Sequence, residues 1–209
     1  MCNNWSVQID TTRARSLAET RNKILDVARE VLGENPEAGM GDIASAAGVV
    51  RRTVYGHFPS RGDLVRSLTQ QAAEEITAVL ADVDSSETAA DAAWVDFVAR
   101  LWPLAHRYRV LVAFRRGEYG DEIHALLGSV DTAVAALVKR GQDDTVFARH
   151  LPAAVLSQLA FAAVFSIADH DSSAEVLGAR AAAITALLML GVPESRALAL
   201  VNDRPFDAA

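Results

Sequence analysis

Cysteine is almost absent from the sequence, since Cys2 is the only one among 209 residues. A single cysteine excludes an internal disulfide framework and fits a reducing compartment. The beginning of the chain carries Trp5 and Asp10, and it lacks the basic start and continuous apolar run of a signal peptide. With six prolines, 51% hydrophobic residues and 22% charged residues, the composition is typical of a soluble globular protein. We therefore expect a cytoplasmic protein.

Basic residues are outnumbered by acidic ones, 20 against 27, and the net charge of −7 argues against indiscriminate binding to nucleic acid. The charges are unevenly spread along the chain. Residues 13–66 hold nine basic and seven acidic side chains, whereas residues 68–209 hold eleven and nineteen. Only the front part is therefore suited to meet a polyanion.

Alternating patterns of period two, bounded by turn signals, are absent from the sequence. Apolar residues recur instead at helical spacing, which predicts an all-α chain. Signatures of catalysis are also missing, because there is no phosphate-binding glycine loop, no Cys/His metal spacing and no nucleophile elbow. Asp169, His170 and Asp171 are adjacent, but neighbours in a helix point apart. We expect no enzymatic activity, no cofactor and no metal site.

The front of the chain is predicted to contain an arm and four helices. Residues 1–16 show no period and are expected to form a flexible arm. A helical domain follows over residues 17–66, and a second helical domain covers residues 67–209. The four helices are predicted at Leu17–Leu32, about Met40–Ala47, Arg51–His57 and Arg61 to about Leu80.

Further helices are predicted in the rest of the chain. Asp84-x-x-Glu87 has capping-box spacing and predicts a helix that Pro103 interrupts. Helical periods follow over residues 104–116 and Ile123–Lys139, and a brief helical turn is expected over Leu198–Val201.

Residues 151–168 are apolar almost all the way round a helix. Their length is near the minimum for a membrane span, but Gln158 lies in the middle and alanine dilutes the hydrophobicity. A helix that is buried on two sides is the better interpretation. A final long helix is predicted over residues 174–190, after a capping box at Ser172-x-x-Glu175.

Two short helical patterns meet at Gly48, a residue type that tolerates a tight turn. The second pattern carries groups that donate hydrogen bonds to phosphates or base edges. This arrangement predicts a helix-turn-helix whose second helix enters a major groove of DNA. The candidate DNA-binding residues are Arg51, Arg52, Thr53, Tyr55, His57 and Arg61.

This segment resembles the DNA-binding domain of the TetR family of transcriptional regulators. The resemblance implies a homodimer whose helical C-terminal domain binds a small molecule that controls DNA affinity. Because repression is the usual mode of the family, we expect a repressor that an effector releases from a palindromic operator. The residues that carry the resemblance are Ile43-Ala44, Ala47-Gly48-Val49, Thr53, Tyr55, His57-Phe58 and Ser60-Arg61.

The resemblance also suggests a division of roles. Thr53, Tyr55 and His57 match family positions that mostly hold the DNA backbone, and Arg61 would do the same. Specificity is therefore assigned chiefly to Arg51 and Arg52. The chain departs from the family where Val50 replaces a common capping serine, where Arg52 replaces a common glycine, and at Gly56, where a larger residue may occur in relatives. Gly41 likewise offers no side chain from the second helix.

In this family the last two long helices commonly form the dimer interface. Here they correspond to residues 151–168 and 174–190, which would make a four-helix interface with a second copy. Aromatic residues in the middle of the chain are sufficient to line a pocket for the unknown effector. The candidate effector-binding residues are Trp94, Trp102, His106, Phe161 and Phe165.

Two other functions remain open from the sequence. A ligand-binding or enzymatic helical bundle with a vestigial DNA-binding domain would bind or turn over a small molecule without sequence preference on DNA. A dimeric DNA-binding protein without an effector would prefer certain sequences and ignore small molecules.

Overall fold

The computed structural model describes residues 4–84, 87–115, 117–171, 178–204 and 206. Eleven α-helices and no strand lie within these ranges, which confirms the predicted all-α class. The chain divides into two compact units, of which the first ends at Leu68 and the second begins at Thr69. This division lies two residues from the boundary predicted after Arg66.

The first unit contains α1 (Asn4–Glu34), α2 (Met40–Ala46), α3 (Arg51–His57) and the beginning of α4 (Arg61–Val83). The predictions for α2, α3 and the start of α4 are confirmed. The predicted start of α1 near Leu17 is wrong, because the helix begins at Asn4 and includes residues 4–16 of the predicted flexible arm. No glycine or proline lies between Asn4 and Leu32. Once its buried end has formed, a helix therefore gains one hydrogen bond for each residue that it adds toward the N-terminus.

One apolar core holds the helices of the first unit together. Helix α1 packs against α2, and α2 packs against α3. Burial of apolar side chains stabilises a core by about 25 cal/mol for each Å² removed from water. The buried side chains come from all four helices and are Ile24, Leu25, Ala28, Leu32, Ile43, Ala44, Ala47, Val54, Phe58, Leu64, Val65 and Leu68.

Gly48 makes the turn between α2 and α3. Its φ of +66° lies in the left-handed region that favours glycine. The N–H of Val49 donates to the carbonyl of Ala44 at 3.0 Å, and the N–H of Gly48 donates to the carbonyl of Ser45 at 3.1 Å. These bonds satisfy the last carbonyls of α2 and set the direction in which α3 leaves.

The second unit contains the remainder of α4 and seven further helices. Helix α9 packs against α8 and α10, and α5 packs against α9 and α10. The fully buried large side chains of this unit include Trp94, Phe97, Leu101 and Leu137. The seven helices are α5 (Ala90–Arg107), α6 (Val110–Arg115), α7 (Gly120–Leu126), α8 (Gly128–Asp143), α9 (Ala153–Asp171), α10 (Gly178–Met189) and α11 (Glu194–Asn202).

Two predictions about α5 are wrong. The helix begins at Ala90 and not at the capping box, because the Asp84 carboxylate accepts a hydrogen bond from Arg140 instead of capping a helix. Pro103 does not interrupt α5, which continues to Arg107. A proline removes only one hydrogen-bond donor from a helix. The burial of Leu101 and Ala105 on either side holds the helix against its neighbours.

The helix predicted over Ile123–Lys139 is divided into α7 and α8 at Leu127. Gly128 lies at this junction, and glycine has the lowest helix propensity after proline. Helix α9 extends three residues beyond the predicted end at Ala168, and α11 is longer than the predicted turn. Helix α10 is described from Gly178, so the predicted start near residue 174 and its capping box lie outside the described residues. Among the helices that the structure describes, none is long and apolar enough to cross a bilayer.

Candidate nucleic-acid interface and aromatic cluster

Helix α3 has one buried side and one exposed side. Val54 is fully buried, and Phe58, at the end of the helix, is 1% exposed. The side chains of Arg51, Arg52 and Tyr55 are exposed, whereas Thr53 and His57 are half-buried. Because successive side chains of a helix point about 100° apart, one buried stripe leaves the rest of the surface available. The structure thus brings the first five predicted residues together on α3.

The exposed side begins with an apolar residue. Val50 precedes α3 and is 68% exposed. Its side chain makes no capping hydrogen bond, although its carbonyl accepts the N–H of Thr53 at 2.8 Å. An exposed apolar group at the leading end of such a helix is suited to contact the methyl group of thymine in a major groove.

The two neighbouring arginines have different surroundings. The guanidinium group of Arg51 lies against Gly41 of α2, where a Cβ atom would stand 2.8 Å from both Cζ and Nε of Arg51. Arg52 makes no hydrogen bond or ion pair within the described part of the chain. Both side chains are exposed and make no hydrogen bond or ion pair among the described residues, but only the Arg51 guanidinium lies against α2.

Arg61 differs from the other predicted DNA-binding residues. Its side chain is half-buried, and Nη2–H donates a hydrogen bond to the carbonyl of Pro36, between α1 and α2. The guanidinium group is thus engaged within the first unit. The contact of Arg61 with the DNA backbone stays a prediction. To make that contact, the guanidinium group would have to give up its hydrogen bond to Pro36.

Arg21 of α1 contacts Phe58, the buried residue that follows α3. Its Cζ atom lies 5.1 Å from the centre of the Phe58 ring, within the range of a cation–π interaction. Its Nη2–H donates to Oγ of Ser67 at 3.0 Å, and Ser67 in turn donates to the carbonyl of Asp63 at 2.9 Å. The helical period of α1 could not predict these contacts of Arg21, because Phe58 and Ser67 are distant from it in sequence.

Ser60 and Asp63 fix the start of α4 through two hydrogen bonds. The Ser60 hydroxyl donates to Oδ2 of Asp63 at 2.7 Å, and the N–H of Asp63 donates to Oγ of Ser60 at 3.1 Å. The hydrogen bond from Ser60 and the nearby charge of Arg66 lower the pKa of Asp63 below its ordinary value of 3.8. The ionised Asp63 carboxylate therefore stabilises the folded state above pH 3.8, and this stabilisation is lost as the pH falls through the lowered pKa.

An aromatic cluster lies in the second unit and consists of Trp94, Phe97, Phe161 and Phe165. The ring centres of Trp94 and Phe97 are 5.9 Å apart, those of Phe97 and Phe161 are 6.1 Å apart, and those of Phe161 and Phe165 are 5.0 Å apart. The indole Nε1–H of Trp94 is buried and has no acceptor among the described residues. Phe97 is fully buried, and its ring contacts both Trp94 of α5 and Phe161 of α9.

Trp102 and His106 form a separate pair, with ring centres 4.7 Å apart in an edge-to-face arrangement. Of the five predicted effector-binding residues, three thus lie in the aromatic cluster and two form this pair. No group of three or more metal-ligating side chains occurs in the described ranges.

The helix-turn-helix agrees with comparisons to known proteins. Residues 24–68 match the family model for bacterial regulatory proteins of the tetR family. The HTH-type transcriptional repressor LfrR of Mycolicibacterium smegmatis is 43% identical over 74 residues, which are 35% of this chain and 39% of LfrR. The aligned part thus spans about two fifths of that relative.

Solved structures extend the likeness to both units. The crystal structure of the TetR-like regulator LfrR from Mycobacterium smegmatis in complex with proflavine is 26% identical, with a TM-score of 0.67, over 85% of this chain and 96% of that one. The fatty acid degradation regulator FadR from Bacillus halodurans is 20% identical, with a TM-score of 0.68 over 81% of this chain and 97% of that one, which shows a shared fold. Residues 24–68 thus match the family model of the tetR regulators, and over most of its length the chain is similar to the TetR-like regulator LfrR.

Proposed function

We propose that this protein is a sequence-specific DNA-binding transcriptional regulator, and that it is a repressor released from its operator by a small molecule. The observation that carries the proposal is helix α3, which buries Val54 and exposes Arg51, Arg52 and Tyr55. The similarity of its domain to LfrR, a transcriptional repressor, supports the same function.

The proposed contacts with DNA follow from the exposed side of α3. A helix fits the major groove, where guanine presents two acceptors that an arginine can bind together. Arg52 and Arg51 are the donors for such contacts. Thr53, Tyr55 and His57 would bind phosphates, which position a protein without reading the sequence.

A homodimer would place two copies of α3 on one operator. Two recognition helices reach successive major grooves when they are about 34–36 Å apart, and a twofold axis makes the operator palindromic. Exposed apolar side chains on the last long helices support this assembly. Val155 and Leu159 of α9 are 43% and 46% exposed, and Leu188 of α10 is 44% exposed. Their burial against a second copy would remove this apolar surface from water.

The effector is proposed to bind through the aromatic cluster. Aromatic rings favour offset or edge-to-face contact with other rings. LfrR was crystallised with proflavine, a planar aromatic cation. The Nε1–H of Trp94 is a buried donor that an acceptor atom of an aromatic ligand would satisfy.

Helix α4 is the proposed link between effector and DNA. It contributes residues to both units, and in the second unit Glu75 accepts hydrogen bonds from Arg107 at 2.9 Å and from Tyr108 at 2.8 Å. Arg107 ends α5, the helix that carries Trp94. A ligand that prefers one position of α5 would thereby bias α4. It would shift the protein off DNA by no more than its differential affinity for the two states.

The role of Arg52 is tested by replacing it with alanine. Arg52→Ala is expected to weaken binding to the duplex that the wild-type protein selects from a random pool by about 1–3 kcal/mol, because one base or phosphate contact is lost. Titration at one fixed salt concentration measures the change. Arg100→Ala removes the same charge from an exposed ion pair of the second unit and should have no effect. Equal binding by Arg52→Ala and the wild type would refute this role.

The dimer interface is tested by introducing a charge on α9. Leu159→Arg is expected to give a monomer at micromolar concentration in sedimentation experiments, because an arginine at the centre of an apolar interface would be buried without a partner. Leu198→Arg is the control, since Leu198 of α11 is similarly exposed, at 40%. A wild-type monomer, or a Leu159→Arg dimer, would contradict the proposed interface.

The aromatic cluster is tested with proflavine as the probe. Phe165→Leu should weaken proflavine binding about twofold to twelvefold, because a ring contact of about 0.5–1.5 kcal/mol is lost. Fluorescence titration measures the affinity. Tyr119→Leu, which alters the separate Phe114–Tyr119 pair, is the control. If Trp102→Leu weakens binding and Phe165→Leu does not, the effector site lies at the Trp102–His106 pair instead.

A further inference from the structure

Gly41, the second residue of α2, is the neighbour against which the Arg51 guanidinium lies. The three heavy atoms nearest to a Cβ built on Gly41 are all in that guanidinium group, and Cζ and Nε would each be 2.8 Å away. Cβ atoms do not approach other heavy atoms within 3.0 Å, so any side chain at position 41 would displace Arg51. The absence of a side chain at Gly41 therefore leaves the space that the Arg51 guanidinium occupies.

We propose that Gly41 is a specificity-determining residue that positions the Arg51 guanidinium for contact with DNA. The space beside the Cα atom of Gly41, which that guanidinium group occupies, is called the Arg51 seat. The inference rests on the proposed function and adds to it a residue that touches neither base nor phosphate. In a helix-turn-helix the helix before the recognition helix crosses the DNA backbone. A guanidinium group that lies against the second residue of this helix is located where the two helices approach the groove.

The seat matters because arginine has a long and flexible side chain. Binding to DNA ordinarily restricts such a side chain, and this loss of rotamer freedom opposes binding. Contact with the α2 backbone restricts Arg51 before DNA arrives. Neither Arg51 nor Arg52 makes a hydrogen bond or an ion pair among the described residues, and only Arg51 lies against α2, so Arg52 must be ordered by the DNA itself. The two adjacent arginines thus contribute differently, and only Arg51 depends on α2.

Gly41→Ala tests the inference with a single added methyl group. Alanine is favourable in a helix relative to glycine, so the variant should keep its helical content and melting temperature. Its affinity for the duplex that the wild type selects should fall about fivefold or more, as expected when a good bidentate arginine contact is disturbed. The control is Gly128→Ala, which adds the same methyl group at the start of α8 with no heavy atom within 4 Å, and which should bind as the wild type does.

A double-mutant cycle shows whether Gly41 acts through Arg51. Arg51→Ala should weaken binding, and Gly41→Ala should cause no further loss in that background. An equal loss in both backgrounds would overturn the inference, because the methyl group would then act on the DNA directly. Wild-type affinity of Gly41→Ala would also overturn it, because Arg51 would then leave its seat to bind.

A measurement on the free protein separates this inference from the proposed function. The Nε–Hε resonance of Arg51 should show restricted motion by NMR relaxation in the wild type and greater motion in Gly41→Ala. Equal motion in the two proteins overturns the seat even if both bind DNA. If the seat is present but the wild-type protein selects no sequence from a random pool, the proposed function fails, and the specificity role of Gly41 fails with it.

Discussion

The structure of the DNA-binding unit depends on how a helix of seven residues is held in place. An isolated helix of this length is unstable in water, so α3 must take its stability from packing. It buries Val54 within the core of the unit and is followed by Phe58, whose ring lies under the guanidinium of Arg21. Gly48 sets its direction at one end, and Ser60 caps the start of α4 shortly after the other. The orientation of the exposed side of α3 consequently depends on the residues that pack around the helix, and not on the stability of the helix itself.

The charge of the protein limits what this unit can achieve alone. The affinity of nonspecific binding comes largely from neutralising phosphates and releasing counterions. Residues 13–66 have nine basic and seven acidic side chains, and the whole chain carries −7. General attraction to DNA is therefore weak. We therefore propose that binding depends on a few placed contacts, on their positioning before DNA arrives, and on two copies that act together. The proposed Arg51 seat would meet the second of these requirements, and the proposed interface on α9 would meet the third.

Much of the first unit could be predicted from the sequence, because its boundaries are marked by residues with strong local preferences. Gly48 and Pro59 enclose α3, and the buried residues Ile43, Val54 and Phe58 follow the helical period. Predictions failed where tertiary packing overrides a local signal. Pro103 lies inside α5 because buried neighbours hold that helix, and Asp84 binds Arg140 instead of capping a helix.

The candidate site was predictable to a similar degree. The exposed residues of α3 follow from the helical period, but the orientation of long side chains does not. Arg61 turns toward the carbonyl of Pro36, which no pattern indicated. The role of Gly41 could not be predicted either. From the sequence, Gly41 was noted only as a position of the second helix that offers no side chain to DNA. Contacts between residues ten or more positions apart become visible only when the helices are placed in space.

We propose that two copies of this chain read DNA through α3, and selection of bound duplexes from a random pool tests this proposal. An enriched palindrome is expected, with half-sites centred about 10–10.5 base pairs, or a multiple of that distance, apart. A pool without any enriched sequence, or with a single unrepeated motif, would contradict it.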